Sequence, residues 1–167
     1  MKILFNFYKN QINLAIFNYQ NSILYLNIMT MKNIKRIIIP VDNTEDSKKA
    51  VEKGMYLAKL LNIETKIITV NDTHQFISSV ILEDKLKKET QNFLDNFKEL
   101  AKNFGIEIET EIIAGKPEVE IVRYAKQGDL IIMAHHARSK GLDKVMEKSV
   151  SKQVVENAPC SVLVVKE

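Results

Sequence analysis

Five short apolar runs, separated by stretches long enough for a helix, constrain this chain more than anything else in it. Residues 34–41, 66–70, 106–113, 129–134 and 161–165 read as strands. Each gap between consecutive runs carries apolar residues at helical spacing. Parallel neighbours need a crossover of about a dozen residues or more, so this alternation predicts a layered α/β domain with a parallel sheet. Right-handed crossovers then place ligand sites beyond the carboxyl ends of the strands, where Asp42, Val70 and Ala134 fall.

Local signals fill in the map. Thr44 is placed to cap the first helix, with Glu45 and Asp46 favourable in its first turn and Val51, Met55, Ala58 and Leu61 on its buried face. The polar turn Asn71-Asp72-Thr73-His74 follows the second strand. Residues 79–103 form the next helix, with Phe93, Phe97, Leu100, Ala101 and Phe104 on one face, and Gly105 suits its stop. Glu107, Glu109 and Glu111 alternate with apolar residues, which predicts a half-exposed strand near a sheet edge. Gly115-Lys116-Pro117 turns into a helix carrying Val119, Val122 and Ala125 inward and ended by Gly128. The last helix, 149–157, opens on Ser149-Val150-Ser151.

The chain changes character near Met31. Residues 1–30 hold half of its aromatic side chains and no Gly, Pro, Asp or Glu, and nothing is charged from Asn10 to Thr30. Asn and Gln interrupt the apolar stretch repeatedly, which suits neither a membrane span nor a signal peptide. The simplest expectation is a mis-called start or a disordered extension, because Asn, Ile, Phe, Tyr and Lys are what A/T-rich DNA encodes upstream of a true start. An amphipathic appendage and a membrane-associated segment are the alternatives. The domain proper is 31–167. Lys2 and Lys9 account for most of the net +3; of 24 basic side chains the other 22 face 21 acidic ones. That balance gives no support to nucleic-acid binding. The single Cys160 excludes an intramolecular disulfide and fits a reducing compartment.

The ordered set of motifs from Lys32 to Lys166 resembles the universal stress protein family. It comprises Ile37-Ile-Ile-Pro-Val-Asp42 with Glu45-Asp-Ser47, Ile67-Ile-Thr-Val70, Gly115-Lys-Pro117, Asp129-Leu-Ile-Ile-Met133, Ser149-Val-Ser151 and Ala158-Pro-Cys-Ser-Val-Leu-Val-Val165. The resemblance implies a single-domain, Rossmann-like fold of the adenine-nucleotide alpha-hydrolase kind. Its sheet has five parallel strands in order 3-2-1-4-5, with helices on both faces. It also implies a cytoplasmic, dimeric stress-response protein. Many members bind ATP through a loop of the form Gly-x2-Gly-x9-Gly followed by Ser or Thr. Here Ala134 and Ala137 replace the first two glycines, Lys148 aligns with the third, and the loop is one residue longer. Glycine tolerates positive φ and admits phosphate close to the backbone, so these replacements are expected to cost ATP affinity.

By the same resemblance a nucleotide site falls on Val41, Asp42, Val70, Met133, Ala134, Ala137, Lys148, Ser149, Val150 and Ser151, with Asp42 and Val70 at the adenosine half and Ser149 and Val150 at the phosphate end. Arg138, Lys140, Lys144 and Lys152 crowd that end, while Asp143 and Glu147 make it a mixed surface rather than a nucleic-acid patch. The final strand, Val162, Leu163, Val164 and Val165, would be an apolar edge in a monomer, and such edges are covered or paired. Family members pair this strand antiparallel, which implies a homodimer.

Adjacent His135 and His136 point to opposite faces of an extended segment, so no metal site is expected even with His74 nearby. Cys160 reads as an inert core thiol, and Asp42 as a ligand-hydroxyl contact or a structural cap. No metal-carboxylate pair, general base or P-loop lysine in context is found. The expectation is a non-enzymatic dimeric interaction module acting on a protein partner, without nucleic acid, membrane, metal or an obligatory cofactor. The competing reading is an ATP-binding sensor that regulates such a partner.

Overall fold

The computed structural model describes residues 2–6, 34–71, 80–135 and 149–166. The elements run β1 (Lys2–Asn6), β2 (Arg36–Val41), α1 (Glu45–Leu61), β3 (Glu64–Asn71), α2 (Val80–Phe104), β4 (Glu109–Ala114), α3 (Pro117–Tyr124), β5 (Asp129–Ala134), α4 (Val150–Asn157) and β6 (Ser161–Lys166). They build one six-stranded sheet in the order β1-β6-β5-β2-β3-β4. The pairs from β4 to β6 are all parallel. Counted within the domain, that is the expected 3-2-1-4-5.

The sheet separates two apolar layers. Ile37, Ile39, Ile67, Leu130, Ile132 and Leu163 point to the face covered by α1 and α2, where they meet Val51, Met55, Leu94 and Phe97. Ile38, Ile68, Ile131, Met133 and Val162 point the other way, toward Ile121, Val154 and Ala158. Both faces of β2 and β5 are buried, which is why these strands read as continuous apolar runs. Each fully buried Ile or Leu is worth roughly 1.5–3 kcal/mol.

Caps set the helix ends. Thr44 accepts a hydrogen bond from the Ser47 N–H at the start of α1. Asn62 ends that helix in the left-handed region, where Asn is tolerated. Gly105 stops α2 with φ +70°. The expected third strand, β4 here, begins at Glu109 rather than at Ile106, because Ile106 closes the α2 turn through its N–H to the Ala101 carbonyl. In α3 the inward residue is Ile121, 3% exposed, whereas Val119 is 43% exposed. Ala125 is buried just beyond the helix end.

One strand was not expected. Residues 2–6 pair antiparallel with β6, from Lys2 opposite Lys166 to Asn6 opposite Val162. The apolar edge of the last strand is therefore covered, within the same chain, by part of the segment that local composition sets apart.

Candidate functional site

Pro40 shapes the site before any side chain does. It sits inside β2, which stays in register with β3 through Val41 opposite Thr69. On its other side the ladder to β5 runs only from Arg36 opposite Asp129 to Ile38 opposite Ile131. Proline has no N–H to give either neighbour. Beyond Ile38 the two strands part, while β5 keeps its register with β6 as far as Ala134 opposite Val165. The chain thereby opens a cleft at the carboxyl ends of β2 and β5, where strand order reverses.

A cavity of about 360 Å³ occupies that cleft, within the range of small-molecule sites. Val41, Val70, Met133 and Ala134 give it apolar walls, and α3 adds Pro117 and Ile121. Asp42 lies at the mouth, its carboxylate accepting hydrogen bonds from the Thr44 and Ser47 hydroxyls. The Asp42 N–H donates back to Ser47 Oγ at 3.1 Å. A carboxylate fixed in this way is oriented to accept from a ligand hydroxyl.

The other polar wall is the start of α4. Ser149 caps it, accepting from the Lys152 N–H at 3.3 Å. Ser149, Val150 and Ser151 all line the cavity. Buried Ser151 lies 2.9 Å from His135 Nδ1, and its Oγ lies 3.4 Å from that of Ser149. First-turn N–H groups and two hydroxyls make an anion-favouring wall facing an apolar slot.

Eight of the ten expected nucleotide residues line this one cavity: Val41, Asp42, Val70, Met133, Ala134, Ser149, Val150 and Ser151. Ala137 and Lys148 lie outside the described residues, as do His74, His136, Arg138, Lys140 and Lys144. Pro40, Ser47, Pro117 and Ile121 also line the cavity and were not anticipated. Ser47 and Pro117 stood inside recognised motifs, which was the available signal. The strain expected at the replaced glycines does not arise at Ala134. It lies within strand β5, and the only non-glycine residue with positive φ among those described is Asn62.

Cys160 is buried at the start of the final strand, where burial pushes its thiol up to about 12. Among the described residues no group of His, Cys, Asp and Glu is arranged to hold a metal. No described helix is long and apolar enough to cross a membrane.

The sequence profile of the universal stress protein family matches residues 33–166. A universal stress protein of Methanocaldococcus jannaschii is 36% identical over 140 residues, covering 79% of this chain and 82% of that one. Among solved structures, a universal stress protein from Lactobacillus plantarum superposes with a TM-score of 0.63 at 22% identity, over 79% of this chain and 97% of that one. Another, solved in complex with cAMP, gives 0.63 at 20% identity over 81% and 99%. At those identities the structural likeness speaks to the fold.

Proposed function

The chain belongs to the universal stress protein family, and we propose that it is a cytoplasmic, non-enzymatic stress-response module that takes an adenine nucleotide in the cavity at its strand ends. The carrying observation is that a preformed apolar slot is flanked by an oriented carboxylate, Asp42, and by the serine-capped start of α4. An adenine would lie between Val41, Val70 and Met133, Asp42 would accept from ribose hydroxyls, and phosphate would meet Ser149 and the first N–H groups of α4. The ordinary backbone of Ala134 removes one reason to expect a disabled site. A chain of the same fold holds cAMP, which supports an adenine ligand over other anions.

The chemistry of the cavity favours a signal over a reaction. Ser151 and His135 form a close pair, but no carboxylate among the described residues hydrogen-bonds His135 to orient it as a general base. The protein acts on a protein partner, with nucleotide occupancy setting its conformation. It dimerises through Val162, Leu163, Val164 and Val165 whenever that edge is open.

Calorimetry of the full chain with ATP, ADP and AMP, with and without magnesium, tests this reading. Micromolar binding that weakens in Asp42→Asn supports it. No heat up to millimolar nucleotide removes the nucleotide and leaves an interaction module alone.

A further inference from the structure

The structure points to a self-capping device: we propose that β1 is an intramolecular plug on the β6 edge, and that its release opens that edge to a second copy of this chain. One edge of β6 is fully committed, since β5 pairs with it from Leu130 opposite Ser161 to Ala134 opposite Val165. Its other edge is taken by β1 from Asn6 opposite Val162 to Lys2 opposite Lys166. That register covers the whole apolar stretch 162–165. A strand has two hydrogen-bonding edges and no third, so β1 and any incoming strand exclude one another.

The register also tells which competitor fits. β1 places Lys2 opposite Lys166, a like-charge pairing that weakens a ladder. Two copies of β6 related by a two-fold axis pair antiparallel without that penalty. Centred on Val164, they set Val164 against its own copy and Leu163 against Val165, with Lys166 opposite Val162. The second copy is thus the better-matched strand. The plug holds its place by being covalently attached, at an effective concentration on the order of millimolar. Self-association becomes conditional on whatever draws β1 away. The capping stands on the register alone; the identity of the newcomer rests on the dimer proposed above.

The test uses the full chain and the variant Ile3→Pro/Leu4→Pro, which strips N–H donors from β1. Light scattering across the micromolar range reads mass, and amide exchange reads residues 162–166. The wild type is expected to be monomeric with a protected β6. The double variant is expected to dimerise, and adding Val164→Lys should return it to monomer. Leu4→Pro alone repeats the measurement should the double variant precipitate.

Equal mass and equal exchange in wild type and variant overturn the plug. A wild-type dimer that falls apart in the variant also overturns it, because β1 would then be exchanged between copies. Association that Val164→Lys does not reverse overturns the β6 interface. Faster exchange at 162–166 in a protein that stays monomeric keeps the plug, but sinks both the conditional dimer and the dimer reading above. An intact mass from the native gene that begins at Met31 ends the proposal outright.

Discussion

The two ends of the parallel sheet spend their polar groups in opposite ways. At the amino end, Arg36 and Asp129 begin neighbouring strands and meet side by side, at 2.6 Å and 3.1 Å. Asp129 also accepts from the Lys126 N–H, and the Arg36 guanidinium lies 5.2 Å from the centre of the Tyr124 ring. Tyr124 donates to Glu111 at 2.7 Å, and Lys66 pairs with Glu109 at 2.9 Å. The hydrogen bond to Asp129 pushes the Arg36 pKa up, and burial followed by the bond to Glu111 does the same for Tyr124. Charge answers charge there. At the carboxyl end, Asp42, Ser149 and Ser151 are held by neighbours yet border an open cavity. One end locks strands together, and the other is arranged around a cavity.

That contrast sets the order of expected losses. Asp129→Ala should be the most damaging, since it leaves Arg36 largely buried without its carboxylate. A loss of about 3–5 kcal/mol is expected in urea unfolding, and a change under about 1 kcal/mol would show that the amino end is no lock. Val70→Trp should fill the slot from the strand end. We expect adenine-nucleotide affinity to fall at least about a hundredfold, equivalent to about 2.7 kcal/mol, with a far smaller shift in the urea midpoint. Equal damage to both would erase the distinction between the ends. Asp42→Asn should lower affinity about tenfold, the loss of one charge-assisted hydrogen bond, while leaving the fold nearly untouched.

The last effect, absent at neutral pH, is a pH dependence in alkali. Cys160 is raised from 9.0 to about 12 in the folded protein, so folding favours its neutral thiol. Its contribution to stability is complete below about pH 9 and is lost as pH rises toward 12, by up to about 1.4 kcal/mol per pH unit. Stability of the wild type should therefore fall more steeply across that window than that of Cys160→Ala. Parallel curves would mean the thiolate is tolerated where it lies.

Much of this was legible because strands and helices carry different periods. The doubly buried runs 37–41 and 129–134, the Thr44 and Ser149 caps and the stop at Gly105 are local, and each formed as its residues dictate. Asp42, Val70 and Ala134 could be placed at the site because crossover handedness puts ligand sites beyond the strand ends, and Ser149 because of the family resemblance. Ser47 and Pro117 were harder, since their approach to the cavity depends on how α1 and α3 lie over the sheet. The phase of α3 was misjudged for a related reason. A helix of eight residues turns barely twice, so its apolar pattern does not choose between Val119 and Ile121, and packing against α4 makes the choice. The β1–β6 pair lay furthest out of reach, because it joins the two extremities of the chain and no local window contains both.

The early end of the ladder between β2 and β5 has a mechanical meaning. Elsewhere in the parallel sheet neighbouring strands are stitched along nearly their full length; at this seam only the Arg36–Ile38 half is stitched. The sheet therefore behaves as two panels, β4-β3-β2 and β5-β6-β1, sharing a seam clamped at one end by Arg36 and Asp129 and unsewn at the other. On one face α1 lies across the seam, against β2 and β5 alike, so helix packing joins the panels where the ladder does not. The cavity sits at the unsewn half, bordered by Val41 of one panel and by Met133 and Ala134 of the other.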